Sequence, residues 1–164
     1  MKEFKKVEMS VIGRISTPHK TIANIPIQAV GAEEFVGLIE LEPHLRDALE
    51  GLEGFSNLIL LYHFHLIDGY SVKVKPFMDD IEHGLFATRT PKRPSPIGMS
   101  TVELIKIEEN KIWFKGADML DGTPLIDIKP FFRQVDNRPD AVSGWLDSKD
   151  ENLPSRHRSD DRFA

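Results

Sequence analysis

A mainly β chain, closed or partly closed into a small barrel with one or two short helices, is the fold that the sequence predicts. Three observations predict it. Runs of branched and aromatic residues recur at short intervals, separated by glycine, proline, asparagine and aspartate. One segment alone reads as a helix. There is no regular alternation of strand and helix, which a doubly wound parallel sheet would require.

Taken in order, Val7 to Ile15 is strand-like, and Phe35 to Leu41 is a second strand rich in β-formers. Pro43 to Leu49 is the helix, with proline suited to its first turn and Gly51 beyond its end. Phe55 to Ile67 is a long apolar run favouring a buried strand. Tyr70 to Val74 alternates and suits another strand. Ser100 to Ile107 and Lys111 to Ala117 flank Glu108-Glu109-Asn110 as a hairpin. Leu125 to Ile128 is a last short strand. After Pro139 the chain turns polar, with Val142, Trp145, Leu146, Leu153 and Phe163 to dock it. The expected division is a barrel domain over 1–147 and a polar tail over 148–164, whose last dozen residues carry few anchors.

Composition narrows the chemistry. The 164 residues include no cysteine, which excludes disulfides, thiol catalysis and thiolate-held metals. No apolar run is long enough to cross a bilayer, since Leu58 to Ile67 is interrupted by His63 and His65. Met1 to Val7 is charged and lacks the apolar core of a secretion signal, so a cytoplasmic location is expected. The net charge is −5, which on bulk argues against nucleic acid as a partner. The local distribution of charge can override that sum.

The segment from Gly84 to Gly98 is the richest in information. Arg89, Lys92 and Arg93 fall within five residues, and Pro91, Pro94 and Pro96 fix φ and remove backbone donors. The segment is therefore a stiff loop, not a helix or central strand. It reads either as an anion site for carboxylates or phosphates, or as a solvated loop with ordinary ion pairs. His63 and His65 share a face if both lie in a strand. With Asp68 they suggest a metal or a pair of satisfied histidines; no third histidine has ligand spacing, so no metal is expected. Asp127 and Lys129 project opposite Ile126 and Ile128, either as an exposed ion pair or as a charged wall beside a ligand. Leu120-Asp121-Gly122-Thr123-Pro124 is a turn by composition. Asp79, Asp80 and Glu82 read as a solvated acidic run rather than as paired catalytic carboxylates. No nucleophile elbow, phosphate loop or Gly-x-Gly-x-x-Gly opening a helix is present.

The order of these pieces resembles the TsaA/TrmO-type family. The resemblance is carried by Ile12-Gly13-Arg14-Ile15, Gly51 to Ser56, Tyr62-His63-Phe64-His65, Phe86 to Arg89 with Arg93 to Gly98, and Leu120 to Pro124 with Asp127 to Pro130. It runs from about Met9 to Trp145. It implies a small β-barrel, usually a homodimer, that binds S-adenosylmethionine and methylates the N6 nitrogen of threonylcarbamoyladenosine beside the tRNA anticodon. It implies cofactor contacts from Pro26, Gln28, His65, Arg89, Met99, Leu120, Asp121, Gly122 and Thr123. Lys92, Arg93 and Lys129 are then candidates for RNA or other anions. The catalytic base is not assigned, with His65 and Asp127 as candidates. The sequence departs from the family at Ile27, where an arginine is common, and at Leu66, where a polar residue is common. Larger members carry a further C-terminal domain, for which 148–164 is too short. Two other readings stand: a module that binds S-adenosylmethionine without transfer, and a methyltransferase for another RNA or a small molecule.

Overall fold

The computed structural model describes residues 5–160 and 162. Phe163, the side chain of Leu153 and the start of the charged N-terminal stretch lie outside the described residues. The strands are β1 (Gly13–Ser16), β2 (Val36–Leu41), β3 (Asn57–His63), β4 (Lys73–Val74), β5 (His83–Gly84), β6 (Ile97–Glu108), β7 (Lys111–Lys115) and β8 (Thr123–Pro130). Six of them close into a barrel in the order β1-β2-β7-β6-β3-β8, with β8 returning to β1 and every pairing antiparallel. β4 and β5 form a separate two-stranded ribbon. Among the described residues no helix is long and apolar enough to cross a membrane.

Alternation builds the barrel. Along β3, Leu58, Leu60 and Tyr62 are buried while the residues between them are half-buried. They meet Ile15, Ile39, Val102, Ile112, Phe114 and Leu125 in one core. Two glycines let large rings lie flat across the sheet. A Cβ at Gly37 would collide with the Phe114 ring, and one at Gly98 with the Tyr62 ring. Barrel closure leaves none of these six strands with an open edge.

Element ends differ from the sequence reading for physical reasons. Pro43–Leu49 is a 3₁₀ segment rather than an α-helix, held by bonds such as Leu45 N to Glu42 O at 2.9 Å. It buries only Leu49, too little apolar face to favour a longer α-helix. β1 starts at Gly13, where the register with both β2 and β8 begins, and residues 5–11 before it are exposed. β3 stops at His63, opposite Ile97, because its partner strand begins there, just after Pro94 and Pro96. In β8 the pairing to β3 slips one residue, so that Leu61 faces Asp127 but Tyr62 faces Leu125. Ile126 is the extra residue of that bulge. The β6–β7 turn places Glu109 at φ 57°, and Asn110 donates to Leu41 O at 2.6 Å.

The polar tail is seated against the barrel. Helix α1 (Arg133–Asp136) and a 3₁₀ segment Gly144–Ser148 lead to α2 (Leu153–Arg156). Arg158 bridges to Pro26, Ser159 N donates to Ile25 O at 2.8 Å, and Asn24 N donates to Ser159 O at 2.8 Å. The Ser159 hydroxyl accepts from Ile25 N at 2.9 Å and donates to Ile22 O at 2.5 Å. Backbone and hydroxyl bonds, rather than buried apolar side chains, hold this segment.

Candidate functional site

One end of the barrel opens into a cleft. Its walls come from the 22–28 loop, the residues that leave β3, the 76–78 loop, the arginine–proline segment, the 118–123 turn and the C-terminal tail. Apolar side chains such as Ile25, Phe64, Ile67, Phe77 and Met119 dominate it, which suits a flat, partly apolar ligand. A second cleft adjoins it and opens toward Arg93 and Met99. The two share Ile27, Gln28, Tyr62, Phe64, Arg89 and Asp118 as a common wall.

Pro26, Gln28, His65, Arg89, Leu120 and Thr123 line the first cleft, although the barrel strands β2, β3, β6 and β7 lie between the first of them and the last in the sequence. Met99 lines the second cleft with Gln28, Arg89 and Arg93. Arg89 Nη1 donates to Gln28 Oε1 at 3.2 Å, tying the basic loop to the 22–28 loop. Arg93 donates to Thr88 O at 2.8 Å and lies over the Phe86 ring at 5.7 Å, so part of its fork braces its own loop.

Asp121, Gly122, Lys92, Asp127 and Lys129 line neither cleft. Asp121 pairs with Lys20 at 2.7 Å and accepts from Thr17 N at 2.9 Å. The Lys20 ammonium, helped by that backbone donor, holds its carboxyl below the usual carboxylate range. Gly122, at φ 79°, offers its carbonyl to Arg14 at 3.0 Å. Gly122 thus fastens the turn to β1, and Asp121 fastens it to the 17–20 segment that follows β1. The turn's flanks, Leu120 and Thr123, face the cleft, with the Thr123 hydroxyl donating to Leu120 O at 2.7 Å. Asp127 and Lys129 form an exposed pair at 2.7 Å. His65 lies beyond the end of β3, with its N–H on His63 O at 2.9 Å, so the two histidines are not strand neighbours. Among the described residues no three histidine or carboxylate side chains converge as a metal cage.

Two features of the site escaped the sequence reading. The first is a relay in the shared wall. Tyr62 OH and Ser100 Oγ lie 2.9 Å apart, and Ser100 Oγ donates to Asp118 Oδ1 at 2.6 Å. Since the serine proton is committed to the carboxylate, tyrosine is the donor to serine. Burial pushes Asp118 up to about 7, against the pull of the Ser100 bond. Burial and the Asp118 charge together push the Tyr62 phenol well above its usual value. The available signal was a lone carboxylate in Ala117-Asp118-Met119-Leu120.

The second feature is the tail as a cleft wall, through Trp145, Ser159 and Asp160. Asp79 secures it. Its side chain is 5% exposed, pairs with Lys149 and His83 at 2.8 Å each, and is therefore no solvated acid. His83 stacks on Trp145 with centroids 4.5 Å apart, and Trp145 Nε1 donates to Ala87 O at 2.8 Å. Lys149 and His83 hold the Asp79 carboxyl well below the usual carboxylate range. A depressed folded pKa adds stability above the unfolded value of about 3.9, and that stability is lost as pH falls below it. Limited proteolysis is expected to leave 144–160 protected at pH 7 and to show protection falling progressively as pH drops from about 4 toward the depressed folded value. Asp79→Asn is expected to expose it at pH 7 too; equal protection of variant and wild type at pH 7 refutes the clamp.

The model of the tRNA-methyltransferase O N-terminal domain matches residues 14–137. A probable S-adenosyl-L-methionine-binding protein of Pyrococcus abyssi is 41% identical over 152 residues, covering 93% of this chain and 82% of that protein. The tRNA (adenine(37)-N6)-methyltransferase of Escherichia coli K12 is 36% identical over 147 residues, covering 84% of this chain and 63% of the enzyme. The crystal structure of TrmO from P. aeruginosa is similar with a TM-score of 0.74 at 37% identity, covering 90% of this chain and 64% of that one. The chain thus spans under two thirds of the length of those last two proteins.

Proposed function

The chain belongs to the tRNA-methyltransferase O family, and from that premise we propose that it uses S-adenosylmethionine to methylate the N6 nitrogen of threonylcarbamoyladenosine beside the tRNA anticodon. One observation carries the reading: two clefts of different character meet along a single wall. Methyl transfer is an in-line displacement, so donor and acceptor must lie on either side of one point and be held there. The first, apolar cleft suits the cofactor, with Arg89 beside Gln28 able to meet its carboxylate. The second cleft, reached past Arg89 and Arg93, suits an acceptor with anionic groups. When bound, the cofactor supplies the electrophilic methyl group; the protein's task is orientation and exclusion of water.

The local cations answer the objection raised by a net charge of −5. They stand at the cleft mouth, where the threonyl carboxylate or a phosphate would come. We include a homodimer in the proposal, because Phe86 at 81% exposure and Met99 at 50% both neighbour Arg93. Sedimentation would check it.

Binding without transfer is the competing reading. It draws on Ile27, in the shared wall where an arginine is common in the family, and on the description of the P. abyssi relative. Mass spectrometry of tRNA nucleosides, after incubation with protein and S-adenosylmethionine, separates the two. Gain of one methyl on threonylcarbamoyladenosine is expected. Tight cofactor binding with no methylated nucleoside overturns the transferase reading.

A further inference from the structure

We propose that Asp118 is the catalytic base, taking the N6 proton of the acceptor as the methyl arrives, and that the positive charge of the bound cofactor switches this base on. The proposal rests on the reading above and adds the residue which that reading lacks. In the step, the new bond runs from N6 to the methyl carbon as the bond from carbon to sulfur breaks. The electron pair of the broken bond stays on sulfur, which becomes a neutral thioether. The N6 proton passes to the Asp118 carboxylate, which becomes a neutral acid.

Position is the first argument. A proton acceptor must reach the place where the two reactants meet, and that place is the shared wall. Of its six residues, only Asp118 is a carboxylate or an imidazole. His65 and Asp160 line the first cleft alone, and Arg93 the second alone. Arg89 faces both clefts but stays protonated. Tyr62 faces both, and its raised pKa keeps the phenol protonated, as donor to Ser100.

Fixation is the second argument. Ser100 holds Asp118 Oδ1 at 2.6 Å from the neighbouring strand β6, and Tyr62 on β3 orients Ser100. The carboxyl plane is thereby set by two barrel strands, which are more precise supports than loops.

Charge is the third argument. A carboxyl that titrates near 7 suits proton transfer at neutral pH. In the empty cleft it is substantially protonated. A sulfonium placed beside it lowers its pKa and ionises it, because opposite charges favour the charged form. Before transfer the cleft then holds one cation and one anion; afterwards it holds a thioether and a carboxylic acid. The pair formed by the sulfonium and Asp118 is neutral at both ends of the reaction, so this largely apolar cleft holds no uncompensated charge from it.

Calorimetry on the full chain near pH 7, in buffers of different ionisation heat, tests the switch without turnover. Binding of S-adenosylmethionine is expected to release about half a proton more than binding of S-adenosylhomocysteine, which differs in lacking the methyl and its charge. Asp118→Asn keeps the oxygen that Ser100 holds, and is expected to bind S-adenosylhomocysteine within about threefold of wild type but S-adenosylmethionine about fivefold or more weakly, because its charge no longer meets a carboxylate. The difference in proton release should vanish in that variant, and methyl transfer should fall about 100-fold or more. Equal proton release for the two ligands in wild type overturns the inference, whether or not the variant folds. So does a variant that transfers at the wild-type rate. A wild-type protein that binds both ligands and methylates nothing fails the earlier reading instead, and takes the base role with it.

Discussion

Arg89→Ala is expected to weaken binding of S-adenosylhomocysteine by about 10- to 100-fold while moving the melting temperature by less than about 2 °C. The side chain is exposed, and its bond to Gln28 crosses between two loops rather than within the barrel. Loss of an exposed arginine costs little folding energy. Loss of a charge-assisted bond to a ligand carboxylate costs about 1.5–3 kcal/mol, and each 1.4 kcal/mol is about a factor of ten in affinity. Arg89→Lys should recover only part of the loss, because an ammonium keeps the charge without the fork. Calorimetry and scanning unfolding on the same samples decide the matter. Parallel losses of affinity and stability would recast the loop as a strut of the fold.

Phe114→Ala acts on the other end of the scale. Phe114 is fully buried and sits on β7, its ring against Gly37 of the paired strand β2. Glycine cannot move a side chain into the space that the ring vacates, so the cavity collapses poorly. A loss of about 3–5 kcal/mol is expected, or a melting temperature lower by about 10 °C. Adding Gly37→Ala in the same chain should restore part of it, because the new methyl group would occupy vacated space. A fall of less than about 3 °C, or no recovery in the double variant, contradicts this account of the barrel's packing.

The barrel was legible because its rule is local. Alternation in Leu58-Ile59-Leu60-Leu61-Tyr62 is written in the order of residues and needs no partner to be read. Element ends were less legible because partners set them: β3 ends where β6 begins to pair with it, some thirty residues further along the chain. The site divides the same way. The basic proline segment was readable as a stiff loop, and its meeting with Gln28 followed from the family resemblance rather than from spacing. Which residues of the 120–123 turn face the cleft was hidden, since Lys20, Thr17 and Arg14 claim its middle from far away. Asp118 was invisible as chemistry because its neighbours in space, Ser100 and Tyr62, arrive from two other strands. The tail was legible only as polar with few anchors, because the serine and the amides that dock it pair with residues more than a hundred positions away.

That docking separates two kinds of integrity in the molecule. The six barrel strands close on one another without any residue beyond Pro130, whereas Trp145, Ser159 and Asp160 supply part of the cleft wall. A change that undocks 144–160 is therefore expected to open the cleft while leaving the strand pairing intact.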